Sequence, residues 1–123
     1  LLAVDRDNPR VSEIYDPYHP AVLRTLHHIA ESATAAGKPA SICGEIAGDH
    51  YYTMLLIGLG FRELSMAPVF LPRVKLMIRS FLLEEAQAVA LAALKLSTAA
   101  EVRELAHEKS RKIWAEFLGD APM

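Results

Sequence analysis

The single cysteine of this chain, Cys43, stands in Cys43-Gly44-Glu45-Ile46-Ala47-Gly48-Asp49, beside two glycines and two carboxylates. A thiol in such a polar turn is a candidate nucleophile or proton donor. The competing reading is packing, because free cysteine is among the most buried and inert residue types. Glu45 is a candidate base, or else a hydrogen-bonded carboxylate that orients its neighbours. Arg6 lies in Asp5-Arg6-Asp7, directly after the apolar run Leu1-Leu2-Ala3-Val4. A guanidinium there is suited to hold an anion; its alternative is a solvated loop charge.

The remaining titratable residues make weaker constellations. His27 and His28 are adjacent on a helical pattern and point about 100° apart, which does not suit one shared metal. His19, between Tyr18 and Pro20, reads as a turn residue. His50, next to Asp49, reads as first helical turn. Arg24, Arg73, Lys75, Arg79, Lys109, Arg111 and Lys112 alternate with acids and read as solvated faces.

These residues need elements to position them. Asp5 to Pro20 is rich in turn formers, with room for a short helix at 11–15. Pro20 suits the first turn of a helix whose apolar face is Val22, Leu23, Leu26, Ile29, Ala30 and Ala33, with Gly37 as its C-terminal cap. Residues 40–43 read as a short buried strand ended by Gly44. Asp49 is expected to cap a second helix running to about Gly58 and ended by Gly60. Residues 63–67 read as a second strand closed by Pro68. Pro72 opens a third helix with Val74, Met77, Ile78 and Phe81 on one face. A fourth runs from Glu84 to Leu96. The capping box Thr98-x-x-Glu101 announces a fifth, carrying Val102, Leu105, Ile113 and Phe117.

Strand–helix alternation at this spacing implies parallel strands with helical crossovers, and function in such folds collects at the C-terminal ends of strands. Those ends are Cys43 to Asp49 and Ser65-Met66-Ala67-Pro68. Two parallel strands make a poor sheet, with unpaired edges and bare faces. Together with a start lacking Met, this predicts α/β architecture: a fragment of a larger parallel sheet or barrel. Exposed strand edges also predict burial through oligomerisation.

Composition narrows the function classes. The 123 residues are 52% hydrophobic and 23% charged with net charge −2, ordinary for a globular domain. This leaves no basic footprint for nucleic acid or anionic membranes. The longest apolar run, residues 54–61, is far short of the ~20 residues of a membrane helix. One cysteine excludes an internal disulfide and fits a reducing cytoplasm.

Ala3-Val4-Asp5-Arg6-x-Asn8, then Val11, then Tyr15-Asp16-Pro17-x-His19-Pro20-Ala21-Val22-Leu23 resembles the phosphoenolpyruvate–protein phosphotransferase family, the first enzymes of the bacterial phosphotransferase system. The resemblance continues in Ala36-Gly37-Lys38, Cys43-Gly44-Glu45-x-Ala47-Gly48-Asp49, Leu56-x-Gly58-Leu59-Gly60, Leu64-Ser65-Met66 and Pro72-Arg73-Val74-Lys75. It covers about residues 1 to 81. Asn8-Pro9-Arg10-Val11 looks more like the nitrogen-regulatory branch than the sugar-transport branch.

The resemblance implies that residues 1–123 are the C-terminal portion of a (β/α)8 barrel, with extra C-terminal helices, that binds phosphoenolpyruvate and dimerises. The family passes the phosphoryl group to a histidine in another domain and on to a small histidine-phosphorylatable carrier protein, releasing pyruvate. Cys43 matches the family's proton donor and Arg6 a substrate-binding arginine; Gly44 and Glu45 support them. Mg²⁺ is implied as cofactor, with its ligands expected upstream of residue 1. The chemistry suits these types. Loss of phosphate leaves an enolate whose methylene carbon needs a proton, and an ordinary thiol carries one at neutral pH. Two other readings compete: a related dikinase or synthase fragment, since Cys-Gly-Glu also occurs there, and a non-catalytic α/β interaction module in which Cys43 only packs.

Overall fold

A computed structural model describes residues 1–118. The first helix, α1 (Pro20–Ala35), begins where His19 Nδ1 accepts the Ala21 backbone N–H at 3.1 Å, with Pro20 in its first turn. It ends as expected: Gly37 takes φ +64°, and the amides of Gly37 and Lys38 close back on the carbonyls of Thr34 and Ala33. The buried stripe is Leu23, Leu26 and Ala30; Ile29 and Val22, expected on the same face, are exposed and half-buried. The contact below α1 is narrow enough to cover one row of side chains only.

Two strands follow, each shorter than the sequence suggests. β1 (Ser41–Ile42) and β2 (Glu63–Leu64) pair in parallel, Ser41 opposite Glu63 and Ile42 opposite Leu64. The reading of residues 40–43 as a buried strand does not hold: Ser41 and Cys43 are exposed and Ile42 half-buried. Among the described residues each strand has one neighbour, so one edge of each is unpaired, while Ile42 and Leu64 pack against the helical core.

The expected helix from Asp49 to Gly58 is also corrected. A single turn, α2 (Glu45–Gly48), comes first, and α3 (Thr53–Leu59) starts four residues after Asp49. Asp49 is extended (φ −81°, ψ 106°), with its Oδ1 accepting the Tyr51 amide at 2.9 Å and its carbonyl accepting the Tyr52 amide at 2.9 Å. The side chain thus makes its own local turn in place of a helix cap, and His50 lies in that turn rather than in a helix.

After a 3-10 turn at Pro68–Phe70 come α4 (Leu71–Ile78), α5 (Leu83–Leu94) and α6 (Ala99–Leu118). Val74 and Met77 of α4 are buried, but Ile78 is exposed. On α6, Val102 and Ile113 are buried, Leu105 is half-buried and Phe117 is exposed. The capping box is present: the Glu101 amide donates to Thr98 Oγ1 at 3.2 Å, and Glu101 Oε2 accepts the Thr98 amide at 3.0 Å.

The core is helical. Helix α3 is its axis, with Thr53, Met54, Leu55, Leu56 and Leu59 all buried. Its principal partner is α5, which offers Ala86, Val89, Ala90 and Ala93. The two backbones touch at Gly58, where a Cβ would sit 2.6 Å from the Ala86 carbonyl carbon and 2.8 Å from Ala90 Cβ. Only glycine permits that approach. The architecture is therefore a mostly helical α/β arrangement with a two-stranded parallel sheet at its side. No described helix is long and apolar enough to cross a membrane.

Candidate functional site

The C-terminal end of β1 opens onto a cleft of about 270 Å³ whose lining includes Arg6, Tyr15, Asp16, Cys43, Gly44 and Glu45. Gly44 makes the corner between strand and helix. Its φ of +86° and ψ of −163° lie in a region that residues with a Cβ rarely adopt, although a Cβ there would meet no neighbour. The constraint is on the backbone, and its result is to turn the chain so that Cys43 stays exposed and Glu45 opens α2.

Arg6 reaches the cleft from the N-terminal loop. That loop is held by its own side chains: Asp5 Oδ1 accepts the Asp7 amide and Asn8 Oδ1 the Arg10 amide, each at 3.0 Å. Arg6 Nη1 lies 3.9 Å from Glu45 Oε1, with both side chains more than half exposed. Such a pair contributes little to stability, but it brings together two residues that line the cleft. Hydrogen bonding to the Tyr15 phenol, and then the charge of Glu45, raise the Arg6 pKa above the ordinary arginine value. Arg6 is thus a permanent cation in this setting.

The four residues singled out in the sequence, Arg6, Cys43, Gly44 and Glu45, share this cleft. Other candidates do not. Ser65 to Pro68, the end of β2, are not among its lining residues. His19 caps α1, and His27 Nε2 lies 3.3 Å from Glu31 on the same helix. Among the described residues, no three His, Cys, Asp or Glu side chains group so as to hold a metal ion. The two carboxylates that line the cleft, Asp16 and Glu45, are each engaged by an arginine, so neither is free as a ligand for Mg²⁺ in this arrangement.

Sequence reasoning missed the far wall of the cleft. Tyr15 and Asp16 belong to a segment read as turn formers and as part of the family motif, with no role assigned to either, yet they line the cavity. The residues behind them are buried and tightly bonded. Tyr52 donates to the Pro17 carbonyl at 2.7 Å, and Tyr18 donates to Asp49 Oδ2 at 3.1 Å. Burial pushes both phenols far above the usual tyrosine range, so they act as fixed donors. From α6, Arg103 Nη2 bonds both carboxylate oxygens of Asp16 at 2.8 Å, while its guanidinium lies 4.8 Å from the Tyr18 ring centre. Nothing in the sequence distinguishes Arg103 from the solvated arginines around it. Chemically, the arrangement offers a polarisable thiol, a cation for an anionic group, and carboxylates at the rim.

Residues 1–83 match the family described as PEP-utilising enzyme, PEP-binding domain. A phosphoenolpyruvate-protein phosphotransferase of Haemophilus influenzae is 42% identical over 107 residues, 87% of this chain and 19% of that relative. A protein of Salmonella typhimurium named phosphoenolpyruvate-dependent phosphotransferase system is 48% identical over 103 residues, 84% of this chain and 14% of that relative. Multiphosphoryl transfer protein 1 of Escherichia coli is 43% identical over 105 residues, 85% of this chain and 13% of that relative. The chain therefore spans only a small part of the length of the curated relatives it matches. With residues 1–83 of its 123 inside the match, the chain belongs to the PEP-utilising enzyme, PEP-binding domain family.

Proposed function

We propose that this chain is the C-terminal part of the phosphoenolpyruvate-binding barrel of a phosphotransferase that passes phosphate to a histidine and on to a small carrier protein, releasing pyruvate. The observation that carries this reading is the convergence of Arg6, Cys43, Gly44 and Glu45 on one cleft at the end of a parallel strand. Arg6 binds an oxygen of the substrate phosphate, where a forked and always-charged group is most effective. Once the phosphoryl group has left, Cys43 delivers its proton to the methylene carbon of the enolate, and Gly44 keeps that face of the cleft open. Glu45 orients Arg6. Phosphoryl transfer depends on positioning and charge neutralisation, so Mg²⁺ and further cationic groups come from parts of the protein outside this chain. The exposure of Cys43 favours this reading over one in which the thiol only packs.

The two-residue strands with unpaired edges support completion of the sheet by further strands of a (β/α)8 barrel, and the location is cytoplasmic. Until the sheet is completed, the chain covers its edges by oligomerising; light scattering that finds a stable monomer with no dye-binding apolar surface refutes that. The test of the chemistry is Cys43→Ala in the full-length enzyme. Turnover to pyruvate collapses, while phosphorylation of the histidine from phosphoenolpyruvate survives in part, because protonation follows transfer. Full steady-state turnover in that variant removes the proton-donor role.

A further inference from the structure

We infer that Arg103, on the C-terminal helix α6, is a positioning residue for the phosphoenolpyruvate cleft, acting through Asp16; this rests on the reading of Arg6 as the phosphate ligand. Asp16 lines the cleft, and its two oxygens are both bonded by Arg103 Nη2 at 2.8 Å, across 87 residues of sequence. Asp16 Oδ1 also accepts the Tyr18 amide at 3.0 Å. One carboxylate thereby joins the loop turn to the helix. Immediately before it, Tyr15 lines the same cleft wall as Arg6. The route runs from α6 to Asp16 and through the peptide to Tyr15, which shares the cleft with Arg6.

Besides the exposed Arg6–Glu45 pair, the loop has two other anchors, the Tyr52 bond to the Pro17 carbonyl and the Tyr18 bond to Asp49. Both lie on the side of Asp16 away from Arg6. Among the described residues, Arg103 makes the tertiary hydrogen bond nearest to the Tyr15–Arg6 end, where the exposed Arg6–Glu45 pair at 3.9 Å holds only loosely. Loss of the Arg103 bond leaves the fold anchored but frees the part of the loop that carries the cation. The side chain of Asp16 is 22% exposed and that of Arg103 44%, so this pair is better shielded than the exposed pairs of α6 and better able to fix geometry.

The test uses the full-length enzyme, with pyruvate formation as readout and thermal unfolding measured beside it. Arg103→Ala is expected to raise KM for phosphoenolpyruvate on the order of tenfold, with a smaller effect on kcat, since a loosened ligand costs less than the hundredfold of a misplaced one. Asp16→Asn keeps an oxygen for the Tyr18 amide and removes the charge; it gives the same rise. Combining the two adds nothing further, because both break one contact. Arg103→Lys recovers most of the loss, since both bonds come from a single nitrogen that an ammonium can replace, and it serves if the alanine variant does not fold. Arg6→Ala separates the two layers of the argument. If it leaves KM unchanged, the phosphate-ligand reading fails and the positioning role falls with it. If it raises KM while Arg103→Ala and Asp16→Asn leave KM at the parent value, whatever their unfolding temperatures, the positioning role alone is overturned.

Discussion

Replacing Gly58 by alanine tests the central packing of the fold. A Cβ at this position falls well inside contact distance of the Ala86 carbonyl oxygen, 2.6 Å from its carbon and 2.8 Å from Ala90 Cβ. Carbon atoms rest at about 3.5–4.0 Å, so α3 and α5 must part by roughly 1 Å. The obstacle is backbone, which no rotamer change can move aside. Overpacking of this kind costs about 1–3 kcal/mol, and the upper end applies because the whole α3–α5 contact, including Leu55, Ala86 and Ala93, loses close packing. Alanine's better helix propensity returns about 1 kcal/mol. The expected net loss is about 2 kcal/mol, or a fall in Tm of about 8 °C for a chain of this size. Thermal and urea unfolding followed by circular dichroism measure it. Adding Ala90→Gly removes only one of the colliding atoms and does not restore stability. A Gly58→Ala protein as stable as its parent, with unchanged m-value, would falsify the close-approach argument.

Thr98→Ala removes the cap of α6 and is expected to cost about 1 kcal/mol in the same unfolding assay. The Thr98 hydroxyl, followed by the Ser97 and Thr98 amides, holds the Glu101 pKa below the ordinary carboxylate value; the Glu101 contribution is present above that ordinary value and disappears as pH falls through the lowered one, a loss absent from Glu101→Gln. His50 and His107 each have their ring centre 4.1 Å from that of Tyr51, and burial lowers the pKa of both. Because their folded-state values lie below the unfolded ones, stability is complete above about pH 6.5 and falls as pH drops through the lowered values; the double variant His50→Gln/His107→Gln flattens that slope, and an unchanged slope contradicts the assignment. Tyr52→Phe strands the Pro17 carbonyl and is expected to cost about 1–3 kcal/mol, whereas a neutral result means that water replaces the phenol. The isolated chain is expected to form no pyruvate from phosphoenolpyruvate, and measurable formation by the purified protein refutes the need for groups outside it.

The sequence by itself determined the helices and where most of them start and stop. Pro20, Gly37, Gly60 and Thr98-x-x-Glu101 are local signals, satisfied by atoms within a few residues, and each does in the structure what its type dictates. It also determined the heart of the cleft: Cys43, Gly44 and Glu45 are consecutive, and the corner at Gly44 is a property of glycine's own backbone. Asp49 shows the limit of local reading, because an aspartate that caps a helix and one that closes its own turn look the same in sequence. Only tertiary structure decided the rest. Gly58 sits mid-helix with no local purpose, and its reason is the Ala86 backbone 28 residues away. Ile29 and Ile78 fit the apolar period yet are exposed, because the period marks a face and packing decides how much of it is covered. Arg103 and Asp16 are ordinary surface charges until α6 folds back over the loop; a contact between distant segments leaves no periodicity in either, so no pattern along the chain announces it.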